Sequence, residues 1–76
     1  MQSQHHQVTA PITGTIWKIT TTIDTEVGET DTVIIMESMK MEMPVEAGRD
    51  GVVHQILIQE GQPVTEGQPL LLLRLR

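Results

Sequence analysis

Apolar and polar residues alternate along two stretches of the chain, and this alternation predicts β-strands. TIWKITTTI (residues 15–23) and VVHQILI (residues 52–58) are rich in β-branched residues and have apolar side chains at every second or third position. Glycine and proline turn signals recur between such stretches at roughly the 8–12-residue spacing of an all-β sandwich or barrel. The pattern predicts short strands and, with one exception treated below, no helix.

The chain aligns loosely with itself after a shift of 37 residues. APITGTIWKI (residues 10–19) falls on AGRDGVVHQI (47–56), and EVGETDTVIIME (26–37) falls on PVTEGQPLLLLR (63–74). The same order of turn glycine, apolar stretch, turn and closing apolar run occurs twice, which predicts two similar halves that bury their apolar faces against each other. The predicted core residues are Trp17, Ile19, Val27, Ile35, Val53, Ile56, Val64 and Leu72.

The segment VIIMESMKMEM (residues 33–43) is the exception, because methionine, glutamate and lysine favour a helix. Three features oppose one: the β-branched start, Pro44 just after the segment, and a repeat partner that carries Pro69. Past the lysine, apolar and polar residues alternate with period two. The sequence therefore predicts a hairpin of Val33–Ser38 and Met41–Glu46, with Met39–Lys40 as a two-residue loop.

Met-Lys is an unusual pair for such a loop, since tight hairpins favour Asn-Gly or Asp-Gly, which tolerate positive φ. Two interpretations stay open at this point. Either the turn is strained, as happens at functional sites, or it is of another type. In both cases Lys40 points outward from the end of a stiff two-stranded finger.

Composition excludes several classes of function. The chain has 76 residues, room for one domain, and no cysteine. Its formal net charge of −5 argues against nucleic-acid and anionic-membrane partners, and we find no signal peptide or apolar run long enough to span a bilayer. His5 and His6 have no third ligand nearby and His54 fits a strand surface, so no metal site is predicted. No catalytic set is apparent, and we expect a cytoplasmic protein.

The residues around Lys40 resemble a known family. ESMKMEMPVEA (residues 37–47) closely resembles the biotin-attachment motif of biotinyl domains. APITGTI resembles the entry segment of these domains, and DGVVHQILIQEGQPVTEGQPLLLL is similar to their second half nearly residue for residue. The resemblance runs from about Val8 to Leu75.

The resemblance implies an all-β fold: a flattened β-barrel (barrel-sandwich hybrid) of two four-stranded antiparallel sheets with pseudo-twofold symmetry. Lys40 would lie at one end and both termini at the other, with residues 1–7 as a flexible leader and residues 8–76 as the attachment domain. The compact Ile19–Val33 segment leaves no room for the extra "thumb" of some members. Asp24 and Thr30 replace usual turn glycines, which puts the local turn geometry in doubt but not the attachment.

The function implied is that of a biotin carboxyl carrier. Biotin protein ligase would join biotin to Lys40 by an amide, and the swinging biotin would carry CO2 from a biotin carboxylase to a carboxyltransferase. The domain would then be a substrate and not an enzyme. Glu37, Met39 and Met41 would help partners to recognise the lysine, although Met41 could instead fold back on the barrel and Glu37 could be a solvated strand-end charge.

Two other functions remain as alternatives: a lipoyl-bearing carrier domain and an unmodified β-barrel interaction module. Lipoyl domains of this fold usually have Asp-Lys-Ala at the tip, whereas this chain has Met-Lys-Met at residues 39–41. Met1 and the polar leader favour a stand-alone carrier subunit over an excised domain. The acceptor of the carboxyl group is left open.

Overall fold

The computed structural model describes residues 4–75, and these residues form eight β-strands and no helix. Among them there is no long apolar helix of the kind that crosses a bilayer. The strands are β1 (His5–Thr9), β2 (Gly14–Ile19), β3 (Glu26–Val27), β4 (Thr32–Ser38), β5 (Met41–Glu46), β6 (Gly51–Ile56), β7 (Pro63–Val64) and β8 (Pro69–Leu75). The predicted all-β class is confirmed.

The strands form two four-stranded sheets in which every neighbouring pair is antiparallel. One sheet has the order β1-β8-β6-β3 and the other has the order β5-β4-β2-β7. Only residues 20–25 lie between β2 and β3, so no thumb-like insertion is present there. Two packed sheets of this kind are the predicted barrel-sandwich architecture.

The sequence repeat is a structural repeat. Adding 37 to the bounds of β2, β3 and β4 gives the bounds of β6, β7 and β8, and the same shift places β1 on β5. It also converts one sheet order into the other. Hydrogen bonds follow the same rule: the N–H of Asp24 donates to the carbonyl of Val53 at 2.7 Å, and the N–H of Gly61 donates to the carbonyl of Ile16 at 2.6 Å. The two halves are therefore related by a pseudo-twofold axis.

One continuous core lies between the sheets, and the prediction of its members is partly wrong. Val27, Val53 and Val64 are buried, and Ile19 and Ile56 pack against the core. The buried apolar residues are Val8, Ala10, Ile16, Val27, Val33, Ile34, Met36, Val45, Ala47, Val53, Ile58, Val64, Leu70, Leu71 and Leu73. Ile35 and Leu72 are only half-buried, while their neighbours along β4 and β8 are fully buried.

Trp17 is the clearest error in the predicted core, since 41% of its surface is exposed. The register between β2 and β4 shifts between Ile16 and Lys18, so that β2 carries a bulge at Trp17. An extra residue in a strand changes the face on which the following side chains lie. Ile16 therefore occupies the core, and Trp17 lies outside with the Lys18 ammonium 5.6 Å from its ring centroid.

The predicted leader boundary is also corrected. β1 begins at His5 and pairs with β8 through His5 and Arg74, so residues 5–7 belong to the sheet because their backbone groups extend its ladder. The His5 ring lies beside that of His54, with the ring centroids 5.0 Å apart. Residues 1–3 lie outside the described part of the chain.

The two turns without the usual glycine behave differently. Asp24 keeps the left-handed conformation of its counterpart Gly61, with φ of 74° against 88°, which aspartate tolerates better than most residues. Thr30 is not among the described residues with positive φ, whereas its counterpart Gly67 has φ of 88°. Both turns are nevertheless closed by the same kind of bond: the N–H of Gly28 donates to Oδ2 of Asp31 at 2.7 Å, and the N–H of Thr65 donates to Oε1 of Gln68 at 3.1 Å.

Candidate functional site: the Lys40 hairpin

Lys40 lies in a two-residue loop between β4 and β5. The ladder pairs Ser38 with Met41, then Glu37 with Glu42, so that only Met39 and Lys40 remain outside it. Both loop residues have positive φ, 53° for Met39 and 65° for Lys40. Positive φ at both central residues is the pattern of a type I′ turn, whose twist matches that of the strands. Of the two interpretations that the sequence left open, the strained turn is the one found.

The hairpin forms despite the helix propensity of its residues because its strands pair into a sheet. β5 is an edge strand, with β4 as its only neighbour in the sheet order. A proline is tolerated at an edge, where its missing N–H need not leave a partner unsatisfied. Pro44 lies on this edge strand, opposite Ile35 of β4. It therefore prevents a helix here but still allows β5 to form.

The base of the hairpin is held by segments distant in sequence. The Ser38 hydroxyl donates to the carbonyl of Thr13 at 3.2 Å, and Oγ1 of Thr13 accepts from the N–H of Glu66 at 3.0 Å. Gly14 approaches the backbone of Glu37 more closely than any residue with a side chain could. The hairpin is thus connected both to the β1–β2 loop and to the β7–β8 turn.

Sequence reasoning missed these supporting contacts. The sequence predicts Ser38 only as the last residue of the first hairpin strand, and it predicts Gly14 as a turn glycine, although Gly14 begins β2. The one available signal was the identity of Gly14 and Gly51 in the repeat. Nothing in the sequence pointed to Thr13.

The side chains around Lys40 differ sharply in exposure. Lys40 is exposed, and the two flanking methionines are among the most exposed apolar residues described, Met39 at 92% and Met41 at 71%. Met36, on β4, is fully buried at 0%, and its ladder partner Met43 is half-buried. Met41 therefore does not fold back onto the barrel.

Glu37 is exposed and lies directly opposite Glu42 on β5, with Thr15 opposite it on β2. Like charges that face each other across strands are mildly destabilising, so this pair does not serve the stability of the hairpin. Within residues 4–75, Lys40 has no ion-pair partner. The site thus presents one cation at the tip and two carboxylates on its stem.

This arrangement suits covalent attachment of a cofactor. The primary amine of Lys40 stands at the tip of a braced hairpin, where a partner's active site can enclose it. Residues 4–75 contain no cavity and no cluster of three metal-ligating side chains.

Comparison with known proteins identifies the family. The family model described as "Biotin-requiring enzyme" matches residues 6–73. The chain belongs to this biotin/lipoyl attachment family. A biotin/lipoyl attachment protein of Bacillus subtilis (strain 168) is 38% identical over 64 residues, which are 84% of this chain and 88% of that protein. The predicted family and its two-sheet fold are confirmed.

Other relatives of the biotinyl domain are longer. A biotin carboxyl carrier protein of Streptococcus mutans is 39% identical over 62 residues, which are 82% of this chain but 48% of that protein. The crystal structure of Kluyveromyces lactis urea carboxylase superposes with a TM-score of 0.88 at 32% identity, over 96% of this chain and 6% of that one. The chain also spans only 10% of a Mycobacterium leprae acyl-coenzyme A carboxylase subunit.

Proposed function

We propose that this chain is a biotin carboxyl carrier whose acceptor is Lys40. The observation that carries the proposal is the position of this lysine: alone at the tip of a two-residue loop, exposed, and braced from below by Thr13 and Gly14. The cofactor is inferred to be biotin because relatives of this chain are named as a biotin carboxyl carrier protein and a biotin-dependent carboxylase subunit.

Attachment would proceed on the amine of Lys40. A biotin protein ligase would present biotin with its carboxyl group activated, and the neutral amine would displace the leaving group to form an amide. Exposed lysine amines are protonated near neutral pH, so the ligase must accept the proton. The amide removes one positive charge from a chain whose formal net charge is −5.

Glu37, Met39 and Met41 would be the residues that partners recognise. The exposed methionines offer flexible, polarisable contacts that fit more than one partner surface. Glu37 places a carboxylate on the stem two residues before Met39. When bound, biotin supplies a nitrogen that holds a carboxyl group. This chain would hold the biotin on a tether, which raises the effective concentration of the cofactor at each partner's site.

The chain would therefore be a non-catalytic part of a biotin-dependent carboxylase. Its partners would be the ligase, a biotin carboxylase and a carboxyltransferase. We also propose that it works in the cytoplasm, in keeping with its lack of cysteine and its acidic charge. Fractionation of cells that express the chain tests the location, and recovery with membranes would contradict it.

The attachment is tested by intact mass after incubation with a biotin protein ligase, biotin and ATP. We expect one biotin amide on the wild-type chain and none on Lys40→Arg. Lys18, the only other lysine, provides the matched control: Lys18→Arg should accept biotin as the wild type does. An adduct on Lys40→Arg, or none on the wild type, would refute the assignment. A lipoate ligase would then test the lipoyl alternative, and no adduct from either ligase would leave an interaction module.

Carrier activity is tested separately. The biotinylated chain, incubated with a biotin carboxylase, ATP and labelled bicarbonate, should acquire label that is lost when a carboxyltransferase and its acceptor are added. The same chain without biotin is the control. A biotinylated chain that never acquires label would contradict the carrier role while leaving the attachment intact.

A further inference from the structure

The four methionines of the β4–β5 region divide into an exposed pair and a sheltered pair. Met39 and Met41 flank Lys40 and are 92% and 71% exposed, whereas Met36 is fully buried and Met43 is half-buried. Within one hairpin, therefore, two methionine side chains are open to solvent, one is half-buried and one is fully buried. This contrast provides an internal control for any reagent that attacks sulfur.

Peroxides oxidise exposed methionine by transferring one oxygen atom to sulfur. The thioether loses two electrons and becomes a sulfoxide, and hydrogen peroxide is reduced to water. Methionine sulfoxide reductases return the sulfur to its original state, which makes the change reversible. Exposure governs the reaction, so Met39 and Met41 should react well before Met36.

Oxidation at these two positions would leave the fold intact. Met39 lies in the turn, outside the ladder, and Met41 is the first residue of β5, opposite Ser38. Neither belongs to the core. A sulfoxide would nevertheless turn the apolar side chains beside Lys40 into polar ones, because the added oxygen is a strong hydrogen-bond acceptor.

We propose that Met39 and Met41 form a reversible, peroxide-sensitive modification site that controls how fast Lys40 accepts its cofactor. The proposal rests on the function proposed above, in which these side chains are apolar contacts for the ligase. In the reduced state the hairpin presents two soft apolar side chains, and in the oxidised state it presents two polar ones. Peroxide would thus slow the modification of new chains without unfolding them.

The first test locates the oxidation. The full chain is treated with graded hydrogen peroxide, and its peptides are analysed by mass. We expect the mass of one oxygen atom at Met39 and at Met41 at doses that leave Met36 unchanged, with an unaltered midpoint of thermal unfolding. Oxidation of Met36 at the same dose would show that the reaction is not confined to Met39 and Met41. A lowered midpoint would show that oxidation destabilises the fold. Either result would contradict the proposal.

The second test measures the initial rate of biotin attachment to oxidised and untreated chains. We expect the rate to fall by about three- to tenfold, the size expected from losing favourable sulfur contacts with a partner. Treatment with methionine sulfoxide reductases should restore it. An oxidised chain that accepts biotin at the untreated rate would overturn this inference alone. An untreated chain that accepts none would overturn the proposed function, and this inference with it.

Variants assign the effect to the two residues. In Met39→Leu/Met41→Leu, the ratio of treated to untreated rate should be one, whatever the basal rate of that variant. Met36→Leu should keep the full sensitivity to peroxide. Met39→Gln/Met41→Gln, which imitates the polar sulfoxide, should slow attachment without any oxidant. Peroxide sensitivity that persists in the double leucine variant would place the effect elsewhere, for example at Met1.

Discussion

Gly14 contacts Glu37 so closely that a methyl group on Gly14 would lie 2.6 Å from the carbonyl oxygen of Glu37. Only a residue without a Cβ atom allows β2 and β4 to approach in this way directly below the lysine loop. The pseudo-twofold axis repeats the contact at the other end of the barrel, where a methyl group on Gly51 would lie 2.6 Å from the carbonyl oxygen of Arg74.

This pair provides a matched experiment. Gly14→Ala and Gly51→Ala should each destabilise the fold by about 1–3 kcal/mol, the usual cost of overpacking, because backbone atoms cannot move aside as a flexible side chain would. Only Gly14→Ala should also slow biotin attachment, since it displaces the strand that leads to Lys40. Chemical denaturation and the ligase assay, run where both variants are folded, measure the two effects. Equal slowing in both variants would mean that global stability sets the rate.

Thr21 has the one buried side-chain oxygen without a hydrogen-bond partner in the described structure. Its counterpart in the second half is Ile58, a buried apolar residue. Thr21→Val removes the unsatisfied hydroxyl at nearly constant shape, so we expect the free energy of unfolding to rise by about 1 kcal/mol. Thr20→Val is the control: its hydroxyl donates to the carbonyl of Thr32 at 2.9 Å, and its loss should destabilise. A gain in both variants would mean that general β propensity is responsible.

The positive φ of Met39 stores strain that substitution can release. Asparagine tolerates the left-handed region better than methionine, so Met39→Asn should stabilise the chain by about 1 kcal/mol. It should also slow biotin attachment, because an apolar contact is lost. Met41→Asn lies on a strand without this strain and should give no gain in stability. Thermal unfolding and the ligase assay separate the two effects. A destabilised Met39→Asn variant would show that the turn is not strained.

Alanine substitution should destabilise the fold more at Ile16 than at its larger neighbour Trp17. Ile16 is fully buried, so Ile16→Ala should cost about 2–5 kcal/mol. Trp17 lies on the outer face, and we expect Trp17→Ala to cost about 1 kcal/mol, the typical effect of a single substitution outside the core. Denaturant titration followed by circular dichroism measures both. A larger loss for Trp17→Ala would place the tryptophan in the core after all.

The division into two similar halves and the lysine hairpin could be predicted because their signals are repeated or local. Pro44 and the period-two pattern after Lys40 predicted a hairpin against the helix propensity of methionine, glutamate and lysine. The shift of 37 residues predicted two similar halves; three of the four strand pairs obey it at both ends, and β1 shifted by 37 residues covers β5 except for its first residue. In both cases the sequence information lies within a few residues or occurs twice.

The face on which each side chain lies could not be predicted with the same success. Register shifts occur in β2 between Ile16 and Lys18 and at the equivalent place in β6, between Val53 and Gln55. Because both halves carry the same bulge, comparison of the halves gives no sign of it. The large apolar side chain of Trp17 predicts a core position, although the repeat aligns Trp17 with His54, which fits a strand surface.

The support of the hairpin was invisible for another reason. Thr13 meets Ser38 across 25 residues of sequence and Glu66 across 53. Such contacts depend on how the two sheets are placed against each other, and no local pattern encodes that placement. Threonine and serine occur too often in loops to suggest a particular partner.

The hydrogen bond from the N–H of Leu75 to the carbonyl of Gln4 joins the two ends of the described chain at the side of the barrel opposite Lys40. Any chain that continues from either end therefore leaves from the far side of the molecule. A linker there acts as a pivot, and the barrel becomes a lever arm. The seven residues of β4 alone span about 23 Å. Rotation about such a pivot would sweep the lysine through an arc wider than its own side chain can reach.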